Sequence, residues 1–183
     1  MTRRCKVCHM PFEPRLPMQS VCSADCALSL ARSKRAKAEK VERIRQRKAD
    51  MEKREKLKSR RDWEREAQQA FNAWVRLRDA GRPCISCGRQ HTGQMHAGHY
   101  LSVGARPELR FEPLNVWLQC APCNTYLSGN AVLFRRALVR EIGEEKVQWL
   151  EGPHAPTKYT IEQLRAIRDE YRQKARELRK ARA

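Results

Sequence analysis

Eight cysteines in four close pairs constrain this chain more than any other feature. They fall as Cys5-x2-Cys8 with Cys22-x3-Cys26, and as Cys84-x2-Cys87 with Cys120-x2-Cys123. Two sets of four thiols at these spacings match the ligand demand of two tetrahedral zinc ions, in a compartment where thiols stay reduced. A lone CxxC would suit a redox pair equally well, but a redox role does not require every cysteine to be paired off. Hydrophobic residues make up 40% of the 183, so one large core is not expected. Bound metal would instead hold together segments too short to bury one.

The charge balance points to the partner. Lys and Arg number 39 against 21 Asp and Glu, a formal charge of +18, and a polyanion is the natural counterpart of such a surface. No stretch approaches the roughly 20 apolar residues of a membrane-spanning helix. The basic start MTRRCKVC leads into no apolar signal region. The expectation is an intracellular protein that binds nucleic acid and no membrane.

Three regions follow, giving an α+β chain that is mostly helical. Residues 1–31 read as a small treble-clef-like zinc finger: the knuckle CKVCH, a loop with Pro11, Pro14 and Pro17, then a helix capped by Ser23 or Asp25 that carries Cys26. His9 is a substitute ligand in principle, though four cysteines leave it a surface residue. Residues 32–62 form a basic helix or linker; from Arg32 to Arg61 there are 15 Lys and Arg, 5 Asp and Glu, and no Gly or Pro. An exposed helix is the plainest reading and a solvated, partly disordered linker the alternative. Val41, Ile44, Met51 and Leu57 make only a broken apolar stripe. Residues 63–183 carry the second cysteine set between helices. Trp63, Ala67, Ala70, Phe71, Trp74 and Leu77 recur at helical spacing, which reads as core packing before base stacking. Further helices are expected over Ala131–Ile142, over Glu144–Leu150, and after the capping box Thr160-x-x-Gln163.

Chemistry concentrates between the knuckles of the second set. Thirty-two residues separate Cys87 from Cys120, more than a plain zinc ribbon uses. The run Cys84-Ile-Ser-Cys87, His96-Ala-Gly-His99-Tyr100, Leu114-Asn115-Val116 and Cys120-Ala-Pro-Cys123-Asn124 holds three of the five histidines and two asparagines. These side chains suit water activation and a hard cation. The order resembles the HNH, or ββα-metal, endonucleases in their variant with a four-cysteine structural zinc. That resemblance implies that His99 activates water, Asn115 holds the loop, and Asn124 binds a catalytic Mg2+ or Mn2+ beside two structural zinc ions. HNH sequences usually carry a ligating Asp or His immediately before the base, where this chain has Gly98. His96 is the nearest replacement, on the same side as Gly98 in a strand of period two; its alternative is an exposed loop histidine. Leu127 stands where a basic residue often follows, so Arg110, Lys158 or another Arg would have to serve the leaving group. Arg106, Arg110, Arg135 and Arg136 are candidate phosphate contacts, while His91 and His154 lack a catalytic context.

Over nearly the whole chain, the CKxC finger, the basic helix, PCISCG, AGHY, LRF, CxxCN, SGN and the TIE-initiated last helix resemble the NinG, or Rap, recombination proteins of lambda-like phages. This implies a phage-encoded nuclease of the bacterial cytoplasm that cuts D-loops and Holliday junctions, with recombination proteins as possible partners. Two coordinated cuts would favour a homodimer. The rival reading is a non-catalytic zinc protein that binds branched DNA and recruits a partner. It explains the charge and both zinc sites but does not require His99, Asn115 and Asn124 in that order. A transcriptional regulator fits less well, since neither finger has the spacing of a base-reading module.

Overall fold

The computed structural model describes residues 2–182, which divide between Leu57 and Lys58 into two compact units. In the first, strand β1 (Arg3–Arg4) pairs antiparallel with β2 (Pro11–Phe12). The loop between them is the first knuckle, and Cys5 is the one buried residue among those described up to Leu57. Helix α1 spans Ala24–Lys56, with Ser23 as its N-cap accepting from the Cys26 amide. Its 33 residues extend about 50 Å at 1.5 Å per residue, and none is buried. High intrinsic propensity, with Arg35–Glu39 and Glu42–Arg45 pairs along one face, sustains it where packing does not.

The basic segment is not one helix to Arg61. It stops at Lys56, and a second helix, α2 (Arg60–Arg78), begins after Ser59. The cause is local: the Ser59 hydroxyl accepts from the Asp62 amide while the Asp62 carboxylate accepts from the Ser59 amide. This reciprocal cap satisfies donors that a helix start leaves open.

The second unit is built on α2 and the last helix, α5 (Ile161–Ala181), which starts at the expected Thr160/Gln163 capping box. Trp63, Ala67, Phe71 and Val75 from α2 meet Leu164 and Tyr171 from α5 in one core cluster. The ring of Phe71 stands edge-on to Phe111 and to Tyr171, with centroids at 5.8 and 4.7 Å. The aromatic stripe therefore belongs mainly to the core. Trp63 is covered on the outside by Lys58 and Arg168, each 4.6 Å from a ring centroid.

Strand β3 (Met95–His99) pairs antiparallel with β4 (Val116–Cys120), placing His96 opposite Gln119, Gly98 opposite Trp117 and His99 opposite Val116. Every residue of β4 is buried. Val116 packs into the α2/α5 core, while Trp117, on the other face, joins Leu109, Phe134, Leu138, Val147 and Leu150. The last four come from α3 (Ala131–Ile142) and α4 (Glu144–Glu151), separated by Gly143 at φ +86°. Arg78 ties α2 to this hairpin. Its guanidinium bonds Asp79 and the carbonyls of Pro113 and Val116, and Asp79 in turn accepts from the Leu118 amide at 3.1 Å. A buried carboxylate is thereby paired and hydrogen-bonded, as its desolvation demands. Among the described residues no helix is long and apolar enough to cross a membrane.

Candidate functional site

Each cysteine set converges. In both, the four Sγ atoms lie within 4.8 Å of one another. The separations Cys8–Cys22, Cys22–Cys26 and Cys87–Cys120 are 3.5, 3.7 and 3.9 Å. A tetrahedron with Zn–S bonds of about 2.3 Å has edges of about 3.8 Å, so both sets could hold zinc. Their electrostatics agree. Burial works against ionisation of Cys5, yet the amides of Cys8, Val7 and Cys22 bring its thiol down to about 6. Cys22 is pushed up to about 12 by contact with the Cys8, Cys26 and Cys5 thiols. Cys120 is likewise pushed up to about 12, by burial and by Cys84 and Cys123 against the pull of the Cys123 amide. In each set one thiol, Cys5 or Cys84, is thus drawn down by backbone amides while neighbouring thiols are pushed up by crowding, a balance that a bound dication would shift toward the thiolates. His9 does not join the first set. His91 does approach the second, its Nε2 lying 3.4 Å from Cys87 Sγ.

The residues beside the second zinc set form a tight polar cluster over Gly98. Asn124 sits in a single π-helical turn, Pro122–Tyr126, that also carries Cys123; such turns recur at functional sites. Asn124 Nδ2 donates to His96 Nδ1 at 2.9 Å, which turns Asn124 Oδ1 toward Gly98. A Cβ built on Gly98 would stand 3.0 Å from Asn124 Oδ1 and would collide with Gln119 Oε1. The space left by the missing side chain is therefore occupied by Gln119 and Asn124, with His96 one hydrogen bond away. Glycine is the residue this packing admits. Three consecutive left-handed residues follow, Ser128, Gly129 and Asn130 at φ +48°, +88° and +49°, and they bring the Gly129 carbonyl within 2.5 Å of Gln119 Nε2. Two non-glycine residues held there store on the order of 1–3 kcal/mol each.

His99 is the next residue along β3 and ends the strand. Its Nε2 lies 3.1 Å from the Arg110 carbonyl. A carbonyl only accepts, so Nε2 carries the proton and Nδ1 is the basic nitrogen. Burial pushes the His99 pKa below its ordinary value, partly offset by this hydrogen bond. Asn115 is fully buried and satisfied on three sides: Nδ2 donates to the carbonyls of Leu101 and Leu109, and Oδ1 accepts from the Leu101 amide at 2.8 Å. It pins both ends of the loop that follows His99. The predicted residues thus fall into a hydrogen-bonded polar pair (His96, Asn124), a half-buried imidazole and a loop anchor, all carried by one hairpin and the turn after it.

Several arginines are committed elsewhere. Arg110 pairs with Glu64 and Gln68 of α2, Arg106 with Glu108 and the Gly152 carbonyl, and Arg135 with Glu144 and Glu151. Arg136 and Lys158 are exposed. Gln119 and Asp79 escaped the sequence reading. In VWLQC a single glutamine gives no periodic signal, and its meaning depends on the register that sets it opposite His96.

The family described as the bacteriophage Lambda NinG protein matches residues 1–181. Protein NinG of Escherichia phage lambda is 41% identical over 194 residues, covering 99% of this chain and 95% of that protein. Its counterpart in Salmonella phage P22 is 40% identical over 194 residues, covering 99% and 96%, and that of Escherichia phage 933W is 40% identical over 192 residues, again covering 99% and 96%. No solved structure matches the chain.

Proposed function

The chain belongs to the family of the bacteriophage lambda NinG protein, and from that footing we propose that it is a metal-dependent endonuclease of the HNH type, acting on branched DNA recombination intermediates in the cytoplasm of the phage's host. The observation that carries the reading is the hairpin: a half-buried imidazole with one nitrogen fixed by a backbone carbonyl, next in sequence to a glycine overhung by Asn124. The order His99, Asn115, Asn124 is thereby read as base, loop anchor and cation ligand.

Neutral His99 takes the proton of an attacking water at Nδ1 while Nε2–H stays on the Arg110 carbonyl, so the ring does not tumble as it charges. Asn115 ties the two ends of the loop from Leu101 to Leu109 together beside Arg110, whose carbonyl holds that ring. Asn124 offers Oδ1 as a neutral oxygen ligand, aimed by its bond to His96. A bound Mg2+ or Mn2+ would supply charge stabilisation at the scissile phosphate and the leaving oxygen. The first unit, with the charge of α1, tracks the phosphate backbone. A treble-clef finger in residues 1–31 and an ββα-metal module around β3, β4 and the Asn124 turn are the fold side of the same proposal.

Labelled junction, D-loop and plain duplex substrates, with Mg2+ or Mn2+, test it. Branched substrates are expected to be cut. In His99→Ala cleavage falls by roughly 10²-fold or more while binding persists. His99→Ala cutting at the wild-type rate overturns the assignment and leaves the branched-DNA adaptor.

A further inference from the structure

The buried side-chain polar atom without a hydrogen-bond partner among the described residues is Gln119 Oε1. Gln119 is fully buried, and an amide oxygen in that position costs about 1–3 kcal/mol if nothing meets it. The orientation of the amide is determined by its other end. Nε2 donates to Ser86 Oγ at 2.7 Å and to the Gly129 carbonyl at 2.5 Å, and Ser86 Oγ itself donates to that carbonyl at 3.3 Å. Turning the amide over would set oxygen against a carbonyl oxygen. Oε1 is therefore held, by two hydrogen bonds made elsewhere, facing the space above Gly98. Asn124 Oδ1 faces the same space, 3.0 Å from where a Gly98 Cβ would stand.

We propose that Gln119 Oε1 is a ligand for the hard divalent cation at this site, together with Asn124 Oδ1, the two oxygens converging over Gly98. The inference rests on the cation site of the preceding reading and adds a ligand from the strand opposite His96. Neutral amide oxygens are fitting donors for Mg2+ or Mn2+, which bind few protein groups and retain water or phosphate oxygens. The site carries no carboxylate, so the phosphate of the nucleic acid supplies the negative charge, and the cation binds weakly until DNA arrives. The absent side chain at Gly98 is then part of the site: any Cβ there displaces the Gln119 oxygen. The strained turn at Ser128–Asn130 has a task as well, since it delivers the carbonyl that orients the amide.

The test separates ligand from scaffold because the two roles predict opposite signs. Zinc-loaded protein without DNA is titrated with Mn2+, following paramagnetic broadening of backbone amide resonances, which locates the ion and gives its affinity. In the wild type, broadening centres on Gly98 and Asn124. Gln119→Met keeps the volume, removes the unpaired oxygen and leaves Ser86 to bond Gly129. Its unfolding temperature without Mn2+ is expected to stay level or rise, while Mn2+ affinity drops about tenfold, comparable to loss of a positioning group at a metal site. Gln119→Met that is destabilised yet binds Mn2+ as the wild type does makes the glutamine structural and overturns this inference, with Asn124→Ala still weakening the ion. No localised broadening in the wild type at all, or broadening indifferent to Asn124→Ala, overturns the cation site itself. Gln119→Met that fails to fold shifts the decision to Gly98→Ala in the same titration: displaced Gln119 oxygen lowers Mn2+ affinity, and unchanged affinity removes Gln119 from the ligand set.

Discussion

The two thiol clusters are built alike and housed differently. In each knuckle the first cysteine amide bonds a carbonyl five residues on, Cys5 to Met10 and Cys84 to Arg89, both at 3.0 Å, and its carbonyl accepts from the residue after the second cysteine, His9 at 3.1 Å and Gly88 at 2.8 Å. Around the first cluster, Cys8 is exposed and Cys22 and Cys26 are half-buried, with no hydrophobic core cluster in that unit among the described residues. Around the second, Cys84, Cys120 and Cys123 are buried against Met95, in a unit that holds two further core clusters. The same four-thiol device, with zinc bound, would thus serve as the whole core in one place and as a staple on an existing core in the other.

Metal withdrawal puts the largest strain on that comparison. Structural zinc contributes on the order of 10 kcal/mol or more, and around the first thiol set no hydrophobic core cluster among the described residues would share that task. Stripping zinc is expected to erase the amide dispersion of residues 3–22 entirely, while resonances of α2 and α5 persist after the first zinc has gone. The exposed thiols of the first site should also yield their metal to a chelator at least about tenfold faster than the buried ones. Cys120→Ala, which breaks the second set from within the fully buried β4, should disorder the hairpin and its polar cluster. A single release rate, with both units melting together, would break the contrast.

The proposed function divides along the same line. Helix α1 has 12 Lys and Arg and 6 Asp and Glu, none of its residues buried, whereas the second unit holds the half-buried His99. Replacing several α1 cations by Ala should shrink the slope of log affinity against log salt by a little under one unit per lost phosphate contact. The rate of cutting at saturating protein should not change. An unchanged salt slope marks α1 as a spacer or a protein-binding arm.

A smaller effect follows from titration. Burial lowers the His99 pKa, and the neutral ring is the proposed base, so the active form persists below the ordinary imidazole value of about 6.5. Cleavage should be flat near neutrality and fall roughly tenfold per unit only once the pH drops through that lowered value. Extra Mn2+ should not shift this limb, as it would a limb set by ligand protonation. Affinity for DNA should stay level across the same range, since lysine and arginine hold their charge there. A limb above 6.5 would contradict a desolvated base.

How much of this was legible depended on the range of the signal. The cysteine sets, the Ser23 and Thr160 caps, the α2 stripe and the order His99, Asn115, Asn124 are local patterns, and the sequence reading found them. The break before α2 was legible in Ser59-x-x-Asp62 but was hidden inside a run of good helix formers. Arg110 pairs with Glu64 and Arg106 bonds the Gly152 carbonyl, each more than forty residues away in sequence, and Arg135 reaches Glu144 and Glu151 on the next helix. The Gln119 cluster was out of reach for a sharper reason. A strand buried on both faces has no alternation to fix its register, and only register sets Gln119 against His96 and over Gly98.

The smallest prediction tests the likeness of the knuckles themselves. His9 and Gly88 hold the same place, one residue past the second cysteine, with φ of +60° and +69°. For an L-residue the left-handed region costs about 1–2 kcal/mol, less for histidine than for branched residues, and for glycine nothing. A Cβ on Gly88 meets no atom within 4 Å, so Gly88→Ala carries backbone strain alone and should destabilise the second unit by about 1 kcal/mol. His9→Gly relieves the matching strain but frees the unfolded chain, so it should stabilise the first knuckle by a few tenths of a kcal/mol at most. Opposite signs at equivalent positions, read from denaturation of each unit with zinc bound, are the expected result. A tenfold loss of zinc affinity in His9→Gly would instead put the imidazole at the metal, and the two knuckles would no longer be the same device.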